Sequence, residues 1–253
     1  MPGPEKLRRA AYHFYQLLWT GLDWVYPPIC GGCNKPGERW CSDCQSSTEK
    51  IPDTICSKCG QIIHKSGICP SCRVFSPCFS SLRSWAVFSG PLRNALHRLK
   101  YQGDIALGEI FARPLIEMVK ALQWKVDAVV PVPIGIARKA ERGYNQAAII
   151  GFPLALGCGF DYHSKWLTKV RETRSQVGLT LAERHENVRE AFMAQARSIS
   201  GLSVLVVDDV TTSGATMQAC ASALKKAGVK EVYGITLARS VHSEYLQMKN
   251  PFV

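Results

Sequence analysis

Apolar positions follow three regimes along the chain. Over residues 5–26, Leu7, Ala11, Phe14, Leu18, Leu22 and Val25 recur at three- and four-residue steps, the spacing of one helical face. Pro27-Pro28 then ends any helix, because proline lacks the N–H donor and clashes with the preceding turn. The spacing predicts an amphipathic helix lying on the body of the protein, with a membrane surface as the alternative resting place. Residues 29–80 have no long apolar run and are rich in Cys, Gly, Pro and Ser. A segment so short and polar builds no core of its own and needs a staple. From Leu82 onward, apolar runs at Trp85–Phe88, Ala128–Val130, Val204–Val207 and Val232–Leu237 alternate with helix-like stretches. The helices are expected at Leu92–Leu99, Leu107–Leu122, Asn145–Leu156 and Thr216–Ala227. Strands alternating with helices predict an α/β fold, a parallel sheet flanked by helices. The chain thus divides into a helix (1–28), a cysteine-rich segment (29–80) and an α/β domain (81–253).

The staple is visible in the cysteines. Nine of the 11 lie between Cys30 and Cys78, and eight form four C-x-x-C pairs: Cys30/Cys33, Cys41/Cys44, Cys56/Cys59 and Cys69/Cys72. Two cysteines separated by two residues fit one tight knuckle, and two knuckles give Zn²⁺ its four tetrahedral thiolates. Sequential grouping gives Cys30, Cys33, Cys41, Cys44 and then Cys56, Cys59, Cys69, Cys72, a double zinc ribbon. Interleaved grouping needs longer loops and ranks second, as does an iron–sulfur cluster, whose spacings are absent. The residue after a knuckle favours the left-handed region, which Asn34 and Gly60 tolerate. Cys78 is a spare candidate ligand. Cys158 and Cys220 read as buried thiols. With all thiolate positions filled, zinc here is structural and contributes on the order of 10 kcal/mol of metal-coupled folding energy per site.

Composition narrows the class further. The chain has 253 residues, 46% hydrophobic and 20% charged, which excludes a disordered or collagen-like protein. No stretch of 18 apolar residues occurs, so no membrane span is expected. His13, Gln16, Thr20 and Asp23 break up the N-terminal apolar stretch, which spoils a signal-peptide core. Serial C-x-x-C pairs also suit a reducing compartment, so a cytoplasmic location is expected. Lys and Arg number 31 against 20 Asp and Glu, a net charge of +11. That excess suits a polyanionic partner or a phosphate-rich substrate.

The sharpest chemical signal is Val204-Leu205-Val206-Val207-Asp208-Asp209-Val210-Thr211-Thr212-Ser213-Gly214-Ala215-Thr216. Four apolar residues make a buried strand. Two carboxylates stand at its C-terminal end, where open α/β sheets bind ligands. A short loop of hydroxyl and small residues then enters a helix, and such a loop wraps a phosphate with backbone N–H groups, hydroxyls and the helix N-terminus. Gly214 lets the backbone approach closely. The acidic pair cannot hold the phosphate and belongs on sugar hydroxyls beside it, as acceptors. A P-loop needs a Lys that is absent, and the dinucleotide fingerprint G-x-G-x-x-G is absent too. Two basic stretches accompany this site. Pro131-Val132-Pro133 leads into Arg138, Lys139, Arg142, Gly143, Tyr144, Asn145 and Gln146, expected as a basic loop. The second contains Arg171, Arg174, Gln176, Gly178, Leu179, Glu183, Arg184 and Asn187. No residue presents itself as a general base.

All thirteen positions of the acidic-pair segment match the signature of the type I phosphoribosyltransferases, which the chain therefore resembles. The resemblance implies that Asp208 and Asp209 hold ribose hydroxyls of 5-phosphoribosyl-1-pyrophosphate, that Thr211, Thr212, Ser213, Gly214, Ala215 and Thr216 hold its 5-phosphate, and that Mg²⁺ rides on the pyrophosphate. It departs from purine-salvage members, which carry Asp where this loop has Thr212. The ordered set of C-x-x-C pairs, Lys100-Tyr101-x-Gly103, Pro-Val-Pro, Arg142-Gly143-Tyr144-Asn145-Gln146 and Gln176-x-Gly178-Leu179 is similar, more narrowly, to the ComF (ComFC) family. That resemblance implies Arg142 and Arg174 as catalytic loop contacts, with Arg138 and Lys139 as further substrate contacts. It also implies a role in handling single-stranded DNA during natural competence, beside a helicase-like ATPase. A non-catalytic protein that binds DNA or senses the ligand is the alternative.

Overall fold

The computed structural model describes residues 4–172, 183, 190–195 and 199–241. Five strands form one parallel sheet: β1 (Ser81–Val87), β2 (Ala128–Pro131), β3 (Asp161–Tyr162), β6 (Ser203–Thr211) and β7 (Glu231–Arg239), in the order β1-β7-β6-β2-β3. A separate antiparallel pair, β4 (Leu167–Lys169) and β5 (Phe192–Ala194), stands beside it. The central strands carry continuous apolar runs, Val204–Val207 in β6 and Ala128–Val130 in β2, because both faces of the sheet are covered. On one face Val204 and Val206 meet Met217, Ala221 and Leu224 of α8 (Ala215–Lys226). On the other, Leu205 and Val207 share a core with Leu96, Phe111 and Ile150. These last come from α4 (Gly90–Tyr101), α5 (Leu107–Leu122) and α7 (Gln146–Cys158). The expected helices and sheet are therefore present. Asn145 caps α7, its carboxamide oxygen accepting the Ala147 N–H at 3.0 Å, as capping asparagines do.

The N-terminal helix, α1 (Pro4–Val25), does lie on the body, but with the opposite face from the one its apolar spacing predicts. Leu7, Phe14, Leu18, Leu22 and Val25 are 47–68% exposed. The seated face is Arg8, Tyr12, Tyr15, Gln16, Trp19 and Asp23. Polar pairing decides this. Glu109 of α5 is only 2% exposed, and a buried carboxylate demands donors. Tyr12 and Gln16 donate to it at 3.4 and 3.1 Å, and Arg113 at 2.9 and 3.0 Å. Arg8 donates to the Gly159 carbonyl at 3.0 Å and pairs with Asp161, while Asp23 pairs with Arg39.

The cysteine-rich segment, with the one-turn helices α2 (Ser42–Ser46) and α3 (Pro70–Val74), spreads over the domain rather than standing apart. The stretch between its halves runs antiparallel along β1, the outer strand. Lys50 bridges to Ala86, the Val87 N–H donates to the Glu49 carbonyl at 2.8 Å, and the Ile51 N–H to that of Trp85 at 3.4 Å.

The basic loop expected after Pro133 is instead a short helix, α6 (Ile136–Arg142). Its residues Ala137, Arg138, Lys139, Ala140, Glu141 and Arg142 are mostly strong helix formers, and Gly143, at φ 79°, terminates it in the left-handed conformation that glycine adopts freely.

Candidate functional site

The eight cysteines of the C-x-x-C pairs gather into two groups, Cys30/Cys33/Cys41/Cys44 and Cys56/Cys59/Cys69/Cys72, with all sulfurs of a group within 4.8 Å of one another. The sequential grouping holds and the interleaved one does not. Sulfur–sulfur distances of 3.5 Å (Cys30–Cys44), 3.6 Å (Cys33–Cys41) and 3.7 Å (Cys59–Cys69) far exceed a disulfide bond. They approach the roughly 3.8 Å separating thiolates that sit 2.3 Å from a tetrahedral ion, so the groups fit Zn²⁺. Asn34 (φ 63°) and Gly60 (φ 70°) adopt the left-handed turn expected after each knuckle. Backbone N–H groups aim at the sulfurs: Cys41 to Cys30 at 3.4 Å and Cys69 to Cys56 at 3.3 Å. Burial opposes ionisation of Cys30 and Cys56, yet such donors outweigh it and bring both thiols down to about 6. Cys78 belongs to neither group: its N–H donates to Gln218 Oε1 at 2.8 Å, and Gln218 Nε2 lies 3.1 Å from its sulfur. Cys158 and Cys220 are buried, as expected.

The acidic pair lies in the C-terminal part of β6, which runs on through Val210 and Thr211, and its two carboxyls have different surroundings. Neighbouring strand residues point to opposite faces. Asp208 opens into a pocket on the α8 side, lined with it by Thr211, Thr212, Gly214, Ala215, Thr216 and Thr236. Gly214 takes φ 82° ahead of α8, and Ser213 Oγ accepts the Ala215 N–H at 3.3 Å. Asp209, 7% exposed, instead pairs with Lys100 Nζ of α4 at 2.7 Å. Burial also acts on the carboxyl of Asp208. Desolvation, then the neighbouring charge of Asp209, raises the Asp208 carboxyl well above the usual range, and the Asp209 N–H and Lys100 only partly offset this. Burial disfavours charged Lys100, but Asp209 and then Asp208 outweigh burial and raise its value.

Of the basic residues, Arg142 is oriented at the end of α6 by neighbouring side chains. Its guanidinium lies 4.8 Å from the Tyr101 ring centroid and donates to Tyr101 Oη and Gln146 Oε1, both at 3.2 Å. Arg138 is near Lys169 of β4, whose ammonium is disfavoured first by burial and then by Arg138. Lys139 is exposed on α6. Arg174, with Gln176, Gly178, Leu179, Arg184 and Asn187, lies outside the described residues. Three residues near the site escaped the sequence reading: Lys100, Lys169 and Arg239. Arg239 is 3% exposed at the end of β7 and donates to the Thr212 carbonyl at 3.3 Å. A charged residue closing a buried parallel strand was its available signal, since ligands gather at that end of the sheet. Lys100 was visible only as part of Lys100-Tyr101-x-Gly103.

Comparison with known proteins follows the same division. Residues 21–73 match the double zinc ribbon domain and residues 111–253 the phosphoribosyl transferase domain. The chain is 30% identical over 227 residues to a DNA utilization protein of Salmonella typhimurium, covering 85% of this chain and 98% of that one. It is 28% identical over 208 residues to competence protein F of Haemophilus influenzae, covering 79% and 90%. With competence protein ComFC of Streptococcus pneumoniae it shares 29% over 201 residues, covering 79% and 87%. Among the described residues no helix is long and apolar enough to cross a membrane. The chain belongs to the ComF family, in which a phosphoribosyltransferase domain carries an N-terminal double zinc ribbon.

Proposed function

We propose that this protein binds 5-phosphoribosyl-1-pyrophosphate and transfers its phosphoribosyl group to an acceptor. One observation carries the reading: a carboxyl destabilised by burial, Asp208, opens into the same pocket as the loop Thr211–Gly214 and the start of α8. A phosphate accepts hydrogen bonds from the loop amides, Thr and Ser hydroxyls and helix N-terminus. Ribose hydroxyls donate to Asp208 and stabilise its ionised form. Loss of pyrophosphate leaves positive charge on the sugar, and Mg²⁺ carried by the pyrophosphate neutralises charge on the leaving group. Arg138, Lys139, Arg142 and Arg174 are the basic residues assigned to the pyrophosphate side, and Lys169 joins them. Apart from Asp208, the residues lining the pocket are hydroxyl, small or apolar, so the acceptor brings its own nucleophilic atom. Calorimetry with the Mg²⁺ complex of phosphoribosyl pyrophosphate should show saturable binding, and release of pyrophosphate over a panel of acceptors should identify the turnover. Absence of binding overturns the reading.

A second reading is favoured by the relatives, whose names concern DNA utilization and competence, and by the net charge of +11. In it the protein handles single-stranded DNA in the cytoplasm, beside a helicase-like ATPase, and uses the site for binding without turnover. Displaced counterions would make DNA affinity fall with salt, and stacking would favour single strands over duplex. A salt titration with both forms tests this. Ligand binding without pyrophosphate release, together with single-strand binding, selects the second reading.

A further inference from the structure

The second cysteine knuckle and the phosphate loop meet at one guanidinium. Arg239 donates through Nη1 to the Thr212 carbonyl of the loop at 3.3 Å, and through Nη2 to the carbonyl of Cys59. Its Nε is buried without a partner, so both of its bonds join these two backbones. The side chain is only 3% exposed, and the backbone that carries it is held on both sides. The Ser240 N–H donates to the Thr211 carbonyl at 2.9 Å, and the Phe88 N–H to that of Arg239 at 2.7 Å.

The knuckle is moulded to this junction. A Cβ on Gly60 would fall 2.4 Å from the Leu82 carbonyl oxygen and 3.5 Å from Arg239 Nη2. The Leu82 N–H donates to Lys58 at 2.8 Å, and Arg83 to Ser57 at 2.9 Å. Leu82 also faces the loop, since its Cδ2 would lie 3.5 Å from a Cβ on Gly214. A four-cysteine site holding Zn²⁺ carries a net charge of about −2, from four thiolates and one dication. Arg239 and Arg83 are the cations beside it, both sensing the charge of Cys56 and Cys59. The first cluster sits elsewhere, its knuckle gripped by α4 through Asn94 to the Gly32 carbonyl (3.0 Å) and Arg98 to that of Cys30 (3.3 Å).

We propose that Arg239 is a positioning residue that ties the second thiolate cluster to the phosphate loop, so that occupancy of that metal site and binding of phosphoribosyl pyrophosphate reinforce one another. The carbonyls of Thr212 and Cys59 are far apart in sequence, and the guanidinium holds both at once. With zinc lost, the Cys56–Gly60 turn loosens, Arg239 loses one anchor, and the loop amides lose their shared aim. The dependence is reciprocal: a ligand that orders the loop must slow metal loss by the same factor that metal improves ligand affinity.

This inference rests on the ligand proposed above, and the experiment separates the two. Zinc release from the intact wild-type chain is followed with a chromogenic chelator, with and without saturating Mg²⁺–phosphoribosyl pyrophosphate. One of the two zinc ions should leave about tenfold more slowly with ligand, within the usual range of coupling between sites, and the other at an unchanged rate. Arg239→Lys keeps the buried charge but cannot span both carbonyls. It should retain two zinc ions and a cooperative melt, bind the ligand about tenfold more weakly, and show ligand-independent zinc release. Ligand binding that alters neither release phase, or wild-type affinity in Arg239→Lys, overturns the bridge alone. No ligand binding by the wild type overturns the functional reading and the bridge together.

Discussion

Asp208 and Asp209 are chemically identical neighbours with opposite relations to the fold. Asp209 compensates a buried ammonium at 2.7 Å. Replacing it with Asn leaves Lys100 buried and unpaired, a change that costs about 3 kcal/mol and should be plain in a denaturant melt. Asp208 has no cation of its own, and burial raises its value. A carboxyl with a raised value takes up its proton more readily in the folded chain than in the unfolded one. Folding is therefore favoured while it is protonated, and that advantage drains away as pH rises through the raised value. Asp208→Asn has no such loss. It should melt higher than the wild type near neutral pH, and the gain should shrink as pH falls toward the ordinary carboxylate range. The same variant should bind phosphoribosyl pyrophosphate at least tenfold more weakly, as loss of a charge-assisted hydrogen bond predicts. Equal melting shifts for the two variants would contradict the assignment. The sequence assigns both carboxylates to ribose hydroxyls, and the structure adds an ion pair to one of them. That partner of Asp209, Lys100, is 109 positions away, and no local pattern reveals it.

Elements show where pattern suffices and where it does not. Val204–Val207 announced a parallel strand because burial on both faces leaves no polar position to interrupt it. The turn into α8 at Thr212–Gly214 was equally readable, since hydroxyls, glycine and a following helix are all local. β3, β4 and β5 were not, being two or three residues long and so without a period. For α1 the period was right and the orientation wrong, because the docked face is set by Glu109, Asp161 and Arg39, none of them near it in sequence. This yields an inverted mutational pattern. Phe14→Ser and Leu18→Ser, on the apolar stripe, should leave stability within about 0.5 kcal/mol, as surface changes do. Tyr12→Phe, on the polar face, removes a donor from buried Glu109 and should cost about 1–2 kcal/mol. Thermal melts of the three variants decide it, and larger losses from the stripe would mean that α1 is turned the other way.

At the scale of the whole molecule, eight thiolates and two arginines make the ribbons part of the α/β domain's frame. Elemental analysis should find about two zinc ions per chain, from four thiolates per ion. Stripping both should abolish the cooperative melt of the N-terminal region, given metal-coupled energies of roughly 10 kcal/mol per site. The pairing of residues 49–51 with β1 bears on how this protein could be divided. Sequence composition suggests a cut near residue 80, yet a chain starting there would uncover the N–H and C=O row of an outer strand whose sequence includes Leu82, Trp85, Ala86 and Val87. Open strand edges recruit other strands. Such a fragment should scatter light increasingly with concentration, while one beginning at residue 47, which keeps the covering strand and the second cluster, should not. The boundary between ribbon and phosphoribosyltransferase domain is thus a compositional border that the hydrogen-bond ladder crosses, and a shuffling or truncation event that respected composition would create an aggregating protein.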